Sequence, residues 1–315
     1  MSVAPAPAGP SRGRRAPRIL LLGAGGRLGA AMAAALRAPG LAPDLVLHAP
    51  SRTELALDPA RPAALRRCLD ACAPTVVVNC IAASDVDACE RDPALAHALN
   101  AALPAQLARA ARACDARLIH FSTDYVFDGT LRRPCREDDA ARPLSVYGAS
   151  KLAGEQAIAA ADARHWIFRV SWLYGAARAN LAERLLDPAN AGCTLGLDND
   201  RVGVPNPVQL VAHEVAHCIT TQAEEGDTPE DGLYHLSCRG ATTWYAFGRA
   251  FLREAVRAGR LAPAHLPRLQ PLTEPAADAR PARRPAWSPL DPQRYECCFG
   301  RSMPRWESAI RWALS

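Results

Sequence analysis

A tyrosine and a lysine four residues apart are the pair in this sequence best suited to chemistry. Tyr147 and Lys151 lie in VYGASKLAGE (146–155), where this spacing puts both side chains on one face of a helix. An ammonium group near a phenol stabilises the phenolate and lowers the phenol pKa from about 10. Such a tyrosine can donate a proton to a carbonyl oxygen while a hydride reaches the carbon. The pair alone is common on solvated helix faces, so its meaning depends on the elements around it.

Two hydroxyl residues end a predicted strand that precedes this helix. The run RLIHFST (117–123) is mostly apolar until it reaches Ser122 and Thr123. Open α/β sheets bind ligands outside the carboxyl ends of their strands, so a hydroxyl at this tip faces the cleft. We therefore expect it to hydrogen-bond the same substrate oxygen that Tyr147 protonates.

A glycine-rich loop follows the first predicted strand, at residues 18–23. Gly23, Gly26 and Gly29 form the pattern G-x-x-G-x-x-G at the start of a predicted helix. Glycine suits a tight turn and a backbone that approaches a pyrophosphate at a helix N-terminus. Glycines also serve ordinary turns, but a position directly after an N-terminal apolar strand favours dinucleotide binding.

The end of the second predicted strand bears on the choice of dinucleotide. A carboxylate there would bind the ribose 2′-hydroxyl of NAD, and the sequence has none at that point. Arg52, together with His48 and Arg27, is instead a candidate to bind a 2′-phosphate. An Arg52 that points into solvent is the alternative. The pattern favours NADPH and leaves NADH possible.

Alternating strand and helix patterns over the first 175 residues predict the fold class. Strands separated by helices are typical of an α/β fold, here a Rossmann-like doubly wound parallel sheet. Pro104 is expected to kink or split the longest helical stretch. The predicted strands are 18–23, 44–49, 75–81, 117–123 and 165–172, and the predicted helices are 28–38, 65–73, 92–115 and 146–161.

The second half of the chain predicts a smaller C-terminal α/β lobe over the ligand-binding edge of the sheet. Its predicted elements are a strand at 232–237 and helices at 210–221, 242–256 and 304–314. We expect a disordered tail at 1–16 and a cofactor-binding Rossmann domain at 17–175 with returning segments. Residues 176–315 are then mainly a substrate-binding lobe.

Composition argues against several classes of protein. The chain of 315 residues has a net charge of +5 without a long basic block, which disfavours nucleic-acid binding. No apolar run approaches the roughly 20 residues that span a membrane. The 11 cysteines are scattered without a C-x-x-C pair, a pattern typical of reduced thiols in the cytoplasm. We therefore expect neither a disulfide framework nor a structural zinc site.

One literal metalloprotease motif competes with the reductase interpretation. HEVAH (213–217) matches H-E-x-x-H, which on a helix can hold zinc with the glutamate as general base. No convincing third ligand follows, and Thr220 stands where the longer motif has glycine. Val211, Val215 and Ile219 form an apolar stripe that leaves the motif on or near the polar face. A solvated helix face is the favoured interpretation, and no metal ligand is predicted.

Longer strings in these segments resemble one family. STDYVFDG (122–129), VYGASKLAGE (146–155) and FRVSWLYG (168–175) are similar to sequences of the dTDP-4-dehydrorhamnose reductase family. This family belongs to the extended branch of the short-chain dehydrogenase/reductase superfamily. GLYHLSCRGATTWYAF (232–247) and ARRP (282–285) carry the resemblance into the second half. The resemblance runs from about residue 17 to the C-terminus.

The resemblance implies a reaction and a set of roles. The reaction is the NADPH-dependent reduction of the C4 ketone of dTDP-4-dehydro-L-rhamnose to dTDP-L-rhamnose, a precursor of cell-surface polysaccharide. Tyr147 would be the general acid, Lys151 would bind the nicotinamide ribose and tune Tyr147, and Thr123 would orient the ketone. The implied cofactor contacts are Gly23, Gly26, Arg27, Leu28, Gly29, Asp58, Ala82, Ala83 and Ser84. The implied sugar-nucleotide contacts are Val86, Asp87, Asp124, Tyr125 and Trp172.

Several of these residues also have a purely structural interpretation. Trp172 is otherwise a core residue, Asp87 a helix cap and Asp124 a turn former. Arg283 and Arg284 are candidates to pair with the diphosphate, because guanidinium groups suit phosphate oxygens. A solvated basic turn is the alternative for both arginines.

The sequence also departs from the family pattern. Some members have an acidic residue early in the first helix that is associated with a magnesium-bound dimer, and residues 28–32 contain no carboxylate. A magnesium requirement is therefore doubtful, and both a monomer and a homodimer stay open. Ala83 replaces a frequent histidine, a change that concerns the sugar pocket. The rival functions are reduction of another nucleotide-linked 4-keto-6-deoxysugar and a non-catalytic NADP-binding regulatory subunit.

Overall fold

The structure is a computed structural model that describes residues 16–51, 53–55, 63–175, 181–225, 229–273 and 281–314. Two residues predicted at the cofactor site, Arg52 and Asp58, lie outside the described residues. The same holds for residues 1–15 of the predicted tail. Within the described residues, no helix has both the length and the apolarity to cross a membrane.

A six-stranded parallel sheet forms the centre of the protein. The strands are β1 (Arg18–Leu22), β2 (Val46–His48), β3 (Val76–Asn79), β4 (Arg117–Thr123), β5 (His165–Val170), β6 (Leu173–Tyr174), β7 (Thr194–Asp198), β8 (Val202–Gly203), β9 (Asn206–Pro207), β10 (Gly232–His235), β11 (Thr242–Thr243) and β12 (Arg268–Leu272). The central sheet has the order β10-β5-β4-β3-β1-β2, and all its neighbouring strands are parallel. Each of its six strands lies where the sequence predicts one. The predicted Rossmann-like doubly wound sheet is confirmed.

Helices cover both faces of this sheet, which is why residues 19–22 of β1 are all buried. The helices are α1 (Arg27–Leu36), α2 (Ala63–Cys72), α3 (Val86–Arg91), α4 (Pro93–His97), α5 (Leu103–Ala113), α6 (Val146–Ala159), α7 (Leu181–Leu186), α8 (Val208–Glu225), α9 (Trp244–Arg257), α10 (Gln293–Phe299), α11 (Trp306–Ala309) and α12 (Arg311–Leu314). Leucines of α2 and α5 share one core with Leu20 and Leu22. Residues of α1 and α8 share the other core with Ile19 and Leu21. The two layers therefore follow the alternation of side chains along β1.

The remaining strands build the smaller lobe. Strand β12 pairs with β7 in parallel, β11 pairs with β8 antiparallel, and β9 pairs with β6 in parallel. Helix α9 packs against β7 and β12. Strand β10 and helix α8 lie in the second half of the sequence, yet they complete the central sheet and one of its layers.

Pro104 alters the long helix predicted at 92–115. The stretch consists of α4, a π-helical turn at Ala98–Ala102 and α5, with Pro104 in the first turn of α5. Proline lacks the N–H that would bond the carbonyl of Asn100 four residues earlier, so the helix opens there. A Cβ on Gly154 of α6 would lie 2.1 Å from this carbonyl oxygen, so only glycine permits the close approach of the two helices.

The strand order also positions the ligand site. The chain leaves β1 towards β2 on one side, and β3 lies on the other side of β1. Open α/β sheets bind ligands at such a switch point, beyond the carboxyl ends of the strands. The glycine loop after β1 and residues 80–84 after β3 meet at this point.

Candidate active site

Two adjacent cavities lie at the carboxyl ends of the strands. We call the larger one, of about 760 Å³, the main cleft, and the smaller one, of about 210 Å³, the side chamber. Tyr125, Trp172 and Trp244 line both of them. The main cleft brings together twelve of the predicted residues: Gly26, Arg27, Leu28, Ala82, Ser84, Val86, Thr123, Asp124, Tyr125, Tyr147, Lys151 and Trp172.

The glycine loop has the tight geometry that its spacing predicts. Gly23 has a φ of +81°, and its carbonyl accepts a hydrogen bond from the Gly26 N–H at 2.9 Å. A Cβ on Gly29 would lie 2.0 Å from the Gly23 oxygen, so the first turn of α1 requires glycine there. The loop therefore presents the N-terminus of α1 to the main cleft, which suits a pyrophosphate.

Arg27 adds a donor to this end of the cleft. Its Nη1 donates to the Leu173 carbonyl at 3.2 Å, while its Nε is buried and has no partner among the described residues. A buried guanidinium nitrogen without an acceptor fits an anionic ligand in the main cleft. The residues present thus fit a dinucleotide with a pyrophosphate.

The loop after β3 is held by the π-helical turn. Asn100 is fully buried, and its amide accepts from the Ala83 N–H and donates to the Ala83 carbonyl at 2.9 and 3.0 Å. Its Nδ2 also lies 3.0 Å from the Ser150 hydroxyl of α6. Ala82 and Ser84 consequently line the cleft, while Ala83 acts through its backbone.

Tyr147 and Thr123 meet in the main cleft. Ser145 caps α6 by accepting a hydrogen bond from the Gly148 N–H, so Tyr147 lies in the first helical turn. Its hydroxyl lies beside Thr123, and its ring meets that of Tyr125 edge-on at 5.9 Å. Burial raises the pKa of Tyr147, and this outweighs the opposing effect of Thr123. The phenol is therefore protonated throughout the neutral range.

Lys151 lines the main cleft, and its buried ammonium group contacts β4. Its Nζ donates to the Phe121 carbonyl at 2.5 Å and lies 3.2 Å from His120 Nε2. The other ring nitrogen of His120 lies 3.1 Å from Asn79 Nδ2. Desolvation lowers the pKa of Lys151 to about 8 and holds that of His120 well below its usual range. The four-residue spacing predicts that Lys151 lowers the pKa of Tyr147, whereas burial raises that pKa. The predicted contact of Lys151 with the nicotinamide ribose stays a prediction.

Asp124 organises the polar end of the cleft. Its carboxylate is buried and accepts hydrogen bonds from the hydroxyls of Ser288, Ser171 and Thr123 at 2.5, 3.0 and 3.2 Å. Burial raises its pKa to about 6, against the lowering effect of these hydroxyls. Both carboxylate oxygens are thus engaged within the protein, so Asp124 is more than the turn former that was the alternative.

Two stacked tryptophans separate the cavities. The rings of Trp172 and Trp244 are parallel within 8° with centroids 4.0 Å apart. Trp172 has a φ of +28°, and a Cβ on Gly203 would lie 2.4 Å from its indole. Gly203 therefore makes room for Trp172 at the mouth between the cavities, where the indole is only partly buried.

Of the two arginines predicted to bind the diphosphate, Arg284 forms an ion pair and Arg283 is exposed. Arg284 lines the side chamber, and its guanidinium binds both carboxylate oxygens of Asp87 at 3.2 and 2.8 Å. Arg184 and Arg201 line the same chamber. Arg283 is exposed and lines neither cavity. The side chamber thus holds three arginines and three aromatic rings, together with Asp198, which pairs with Arg201 at 2.6 Å.

His48 lies away from both cavities. It ends the edge strand β2, and a ring nitrogen lies within 4.8 Å of the sulfurs of Cys68 and Cys72 on α2. Its predicted contact with a 2′-phosphate stays a prediction.

The HEVAH stretch does not form a solvated face throughout. Glu214 is buried, and its carboxylate accepts hydrogen bonds from Arg301 at 2.8 and 2.9 Å and from the Tyr295 hydroxyl at 3.0 Å. The prediction for Glu214 is wrong because α8 buries one side against α1 and another against the C-terminal segment. His213 is exposed and lies against the Trp312 ring, with centroids 5.1 Å apart.

Four residues of the site were not predicted from the sequence. Trp244, Ser171, Ser288 and Asn100 were not assigned roles. A usable signal existed for Asn100, since Pro104 four residues later predicts an opened helix. Another signal is that Lys151 is the only lysine in a chain with 37 basic residues. Arginine does not readily lose its proton and is larger, so a site that needs an amine retains lysine.

Comparisons with known proteins identify the family of this chain. The family profile described as "RmlD substrate binding domain" matches residues 17–315. A dTDP-4-dehydrorhamnose reductase of Escherichia coli is 35% identical over 297 residues, which is 94% of this chain and 97% of that protein.

Two solved structures are also similar. The crystal structure of a dTDP-4-dehydrorhamnose reductase from Clostridium acetobutylicum is 29% identical, with a TM-score of 0.79, and the match covers 94% of this chain and 98% of that one. That of the Bacillus anthracis reductase in complex with NADP has the same fold, with a TM-score of 0.81 at 24% identity, over 95% and 99% of the two chains. With its profile match from residue 17 onwards, this chain belongs to the RmlD substrate binding domain family.

Proposed function

We propose that this protein reduces the C4 ketone of dTDP-4-dehydro-L-rhamnose with NADPH and thereby makes dTDP-L-rhamnose. The observation that carries the proposal is that Thr123, Tyr147 and Lys151 line one cleft that begins at a dinucleotide-type glycine loop. The likeness over nearly the whole chain to a dTDP-4-dehydrorhamnose reductase supports the substrate.

The chain's own groups divide the work of the reduction. NADPH supplies the hydride when it is bound. Tyr147 donates a proton to the C4 oxygen, and its burial keeps the phenol in the protonated form at neutral pH. Thr123 orients the ketone beside Tyr147, and Asp124 holds the Thr123 hydroxyl in place. Lys151 contributes positive charge below the cleft where negative charge develops.

The glycine loop and Arg27 would hold the cofactor. The N–H groups at the start of α1 face the pyrophosphate, and the free Nε of Arg27 supplies a charged donor. Ala82 and Ser84 would lie along the cofactor. A 2′-phosphate contact from Arg27, His48 and Arg52 remains part of the proposal.

The nucleotide would bind in the side chamber, and the sugar would bind beside Trp172, where the two cavities meet. The Trp172 indole offers an apolar face to the deoxysugar. Arg284, held by Asp87, would pair with the diphosphate. In this proposal residues 17–175, with β10 and α8, bind the cofactor, and most of 176–315 binds the substrate. All 11 cysteines are free, which supports a cytoplasmic location.

The decisive experiment follows NADPH absorbance in the presence of dTDP-4-dehydro-L-rhamnose. Wild-type protein is expected to turn over, and Tyr147→Phe is expected to be nearly inactive. A parallel assay with dTDP-4-dehydro-6-deoxy-D-glucose tests the rival deoxysugar. Turnover of that sugar alone would replace the proposed substrate. Absence of turnover with both, despite NADPH binding, would favour a regulatory subunit.

A further inference from the structure

A group of three metal-binding side chains lies outside both cavities. A ring nitrogen of His48 and the sulfurs of Cys68 and Cys72 all lie within 4.8 Å of one another. Among the described residues, no other group of three or more His, Cys, Asp or Glu side chains is so close. None of the three lines the main cleft or the side chamber. The proposed reduction therefore leaves the two cysteines of this cluster without a role, and His48 at most contacts the cofactor from outside both cavities.

The fold brings these side chains together for simple reasons. Cys68 and Cys72 are four residues apart on α2, so their sulfurs project from the same face of the helix. His48 is the register partner of Leu20 in the parallel pair β1–β2. Leu20 packs with leucines of α2, so the face of β2 that carries His48 is the one that α2 covers. Because β2 is an edge strand, solvent reaches the cluster from the open side.

The distances between the three side chains suit the tetrahedral coordination of a thiophilic cation. The two sulfurs are 3.9 Å apart. Two thiolates at about 2.3 Å from a tetrahedral Zn²⁺ are separated by about 3.8 Å. A tetrahedral site places an imidazole nitrogen about 3.6 Å from each sulfur, so the exposed His48 ring, which lies within 4.8 Å of both, needs a shift on the order of 1 Å. Two sulfurs and one imidazole are ligands that Zn²⁺ and similar cations prefer.

We propose that His48, Cys68 and Cys72 form a binding site for a thiophilic cation, with Zn²⁺ as its occupant. Both thiols release their protons to solvent as the sulfurs bind the ion. A cavity of about 180 Å³ beside His48 and Cys72 leaves room for water as the fourth ligand. The ion ties the edge strand β2 to α2 and so stabilises the sheet edge, without entering the reduction.

The test measures zinc binding to the full-length, reduced protein without an affinity tag. Zn²⁺ is titrated in competition with a chromogenic chelator, and wild type is expected to bind about one ion per chain. Cys68→Ser and Cys72→Ser each remove a direct ligand of the ion. Each is expected to lower the zinc affinity by more than the roughly 10- to 100-fold that is lost with a residue that only hydrogen-bonds a ligand. Co²⁺ in place of Zn²⁺ is expected to give a thiolate charge-transfer band that both variants lack.

A matched control is the double variant Cys297→Ser/Cys298→Ser, which removes two adjacent, exposed cysteines elsewhere. It is expected to bind zinc like wild type. His48→Gln provides a second test at an exposed position, where the fold does not depend on the side chain. Circular dichroism verifies the fold of each variant. Unchanged zinc affinity in Cys72→Ser and His48→Gln would overturn the proposal, as would loss of binding in the control or a Cys68–Cys72 disulfide with no zinc uptake.

Discussion

The main cleft and the side chamber are built in different ways. The main cleft is lined chiefly by residues that follow β1, β3, β4 and β5 directly, together with the first turns of α6. The side chamber combines segments near residues 184, 198, 244, 272 and 285, which come from the smaller lobe. The main cleft holds the groups that move a proton, and the side chamber holds Arg184, Arg201 and Arg284, while the aromatic rings of Tyr125, Trp172 and Trp244 line both cavities. Damage to the first should therefore reduce kcat, and damage to the second should raise KM.

The largest effect is expected from Tyr147→Phe. The substitution removes the proton donor, so kcat should fall by about 100- to 10,000-fold while KM for the sugar nucleotide changes little. Steady-state NADPH oxidation measures both. Tyr125→Phe is the control, because its ring packs against Tyr147 but its hydroxyl lies towards Arg284. An equal loss of kcat in both variants would contradict the assignment.

A pair of glycine substitutions should show how much the close packing of the glycine loop contributes to stability. Gly29→Ala forces a Cβ to within 2.0 Å of the Gly23 oxygen, so it should lower the free energy of unfolding by about 1–3 kcal/mol. Gly25→Ala meets nothing within 4 Å and should stay within about 0.5 kcal/mol of wild type. Urea unfolding measures both values. Equal destabilisation would mean that the close approach at Gly29 is unimportant.

The pH dependence of kcat should have two limbs. Asp124 has a raised pKa of about 6, so its carboxylate becomes protonated below that pH and no longer accepts three hydroxyl hydrogen bonds. Lys151 has a lowered pKa of about 8, so its positive charge is lost above that pH. Activity should therefore fall by about tenfold per pH unit on either side. Persistence of the acidic limb in Asp124→Asn would show that another group causes it.

The smallest effect is expected at the boundary between the cavities. Trp244→Ala removes the ring that stacks on Trp172, which should raise KM for the sugar nucleotide by about 3- to 10-fold with little change in kcat. Tyr245→Ala is the control, since Tyr245 follows directly but lines neither cavity. A change confined to KM for NADPH would place Trp244 on the cofactor side of the boundary.

The two cavities also differ in how far they could be predicted. Residues of the main cleft lie in short motifs, so spacing and predicted strand ends located Thr123, Tyr147 and Lys151 near one another. The partners of Lys151 were not predictable, because Phe121 and His120 approach it only when α6 packs on β4. The prediction for Glu214 was wrong for a related reason. The apolar stripe of α8 indicates one buried face, and the additional burial of α8 against the C-terminal segment leaves no periodic signal in the sequence.

By itself, the sequence determined the order of strands and helices, the glycine loop and the chemical groups of the catalytic set. These depend on local apolar periodicity and on short spacings, which the chain carries within a few residues. Only the tertiary structure decided that Ser288 donates to Asp124 across 164 positions and that Arg284 binds Asp87 across 197. Such contacts form when separate lobes pack, and no local pattern specifies which distant side chain will fill the space.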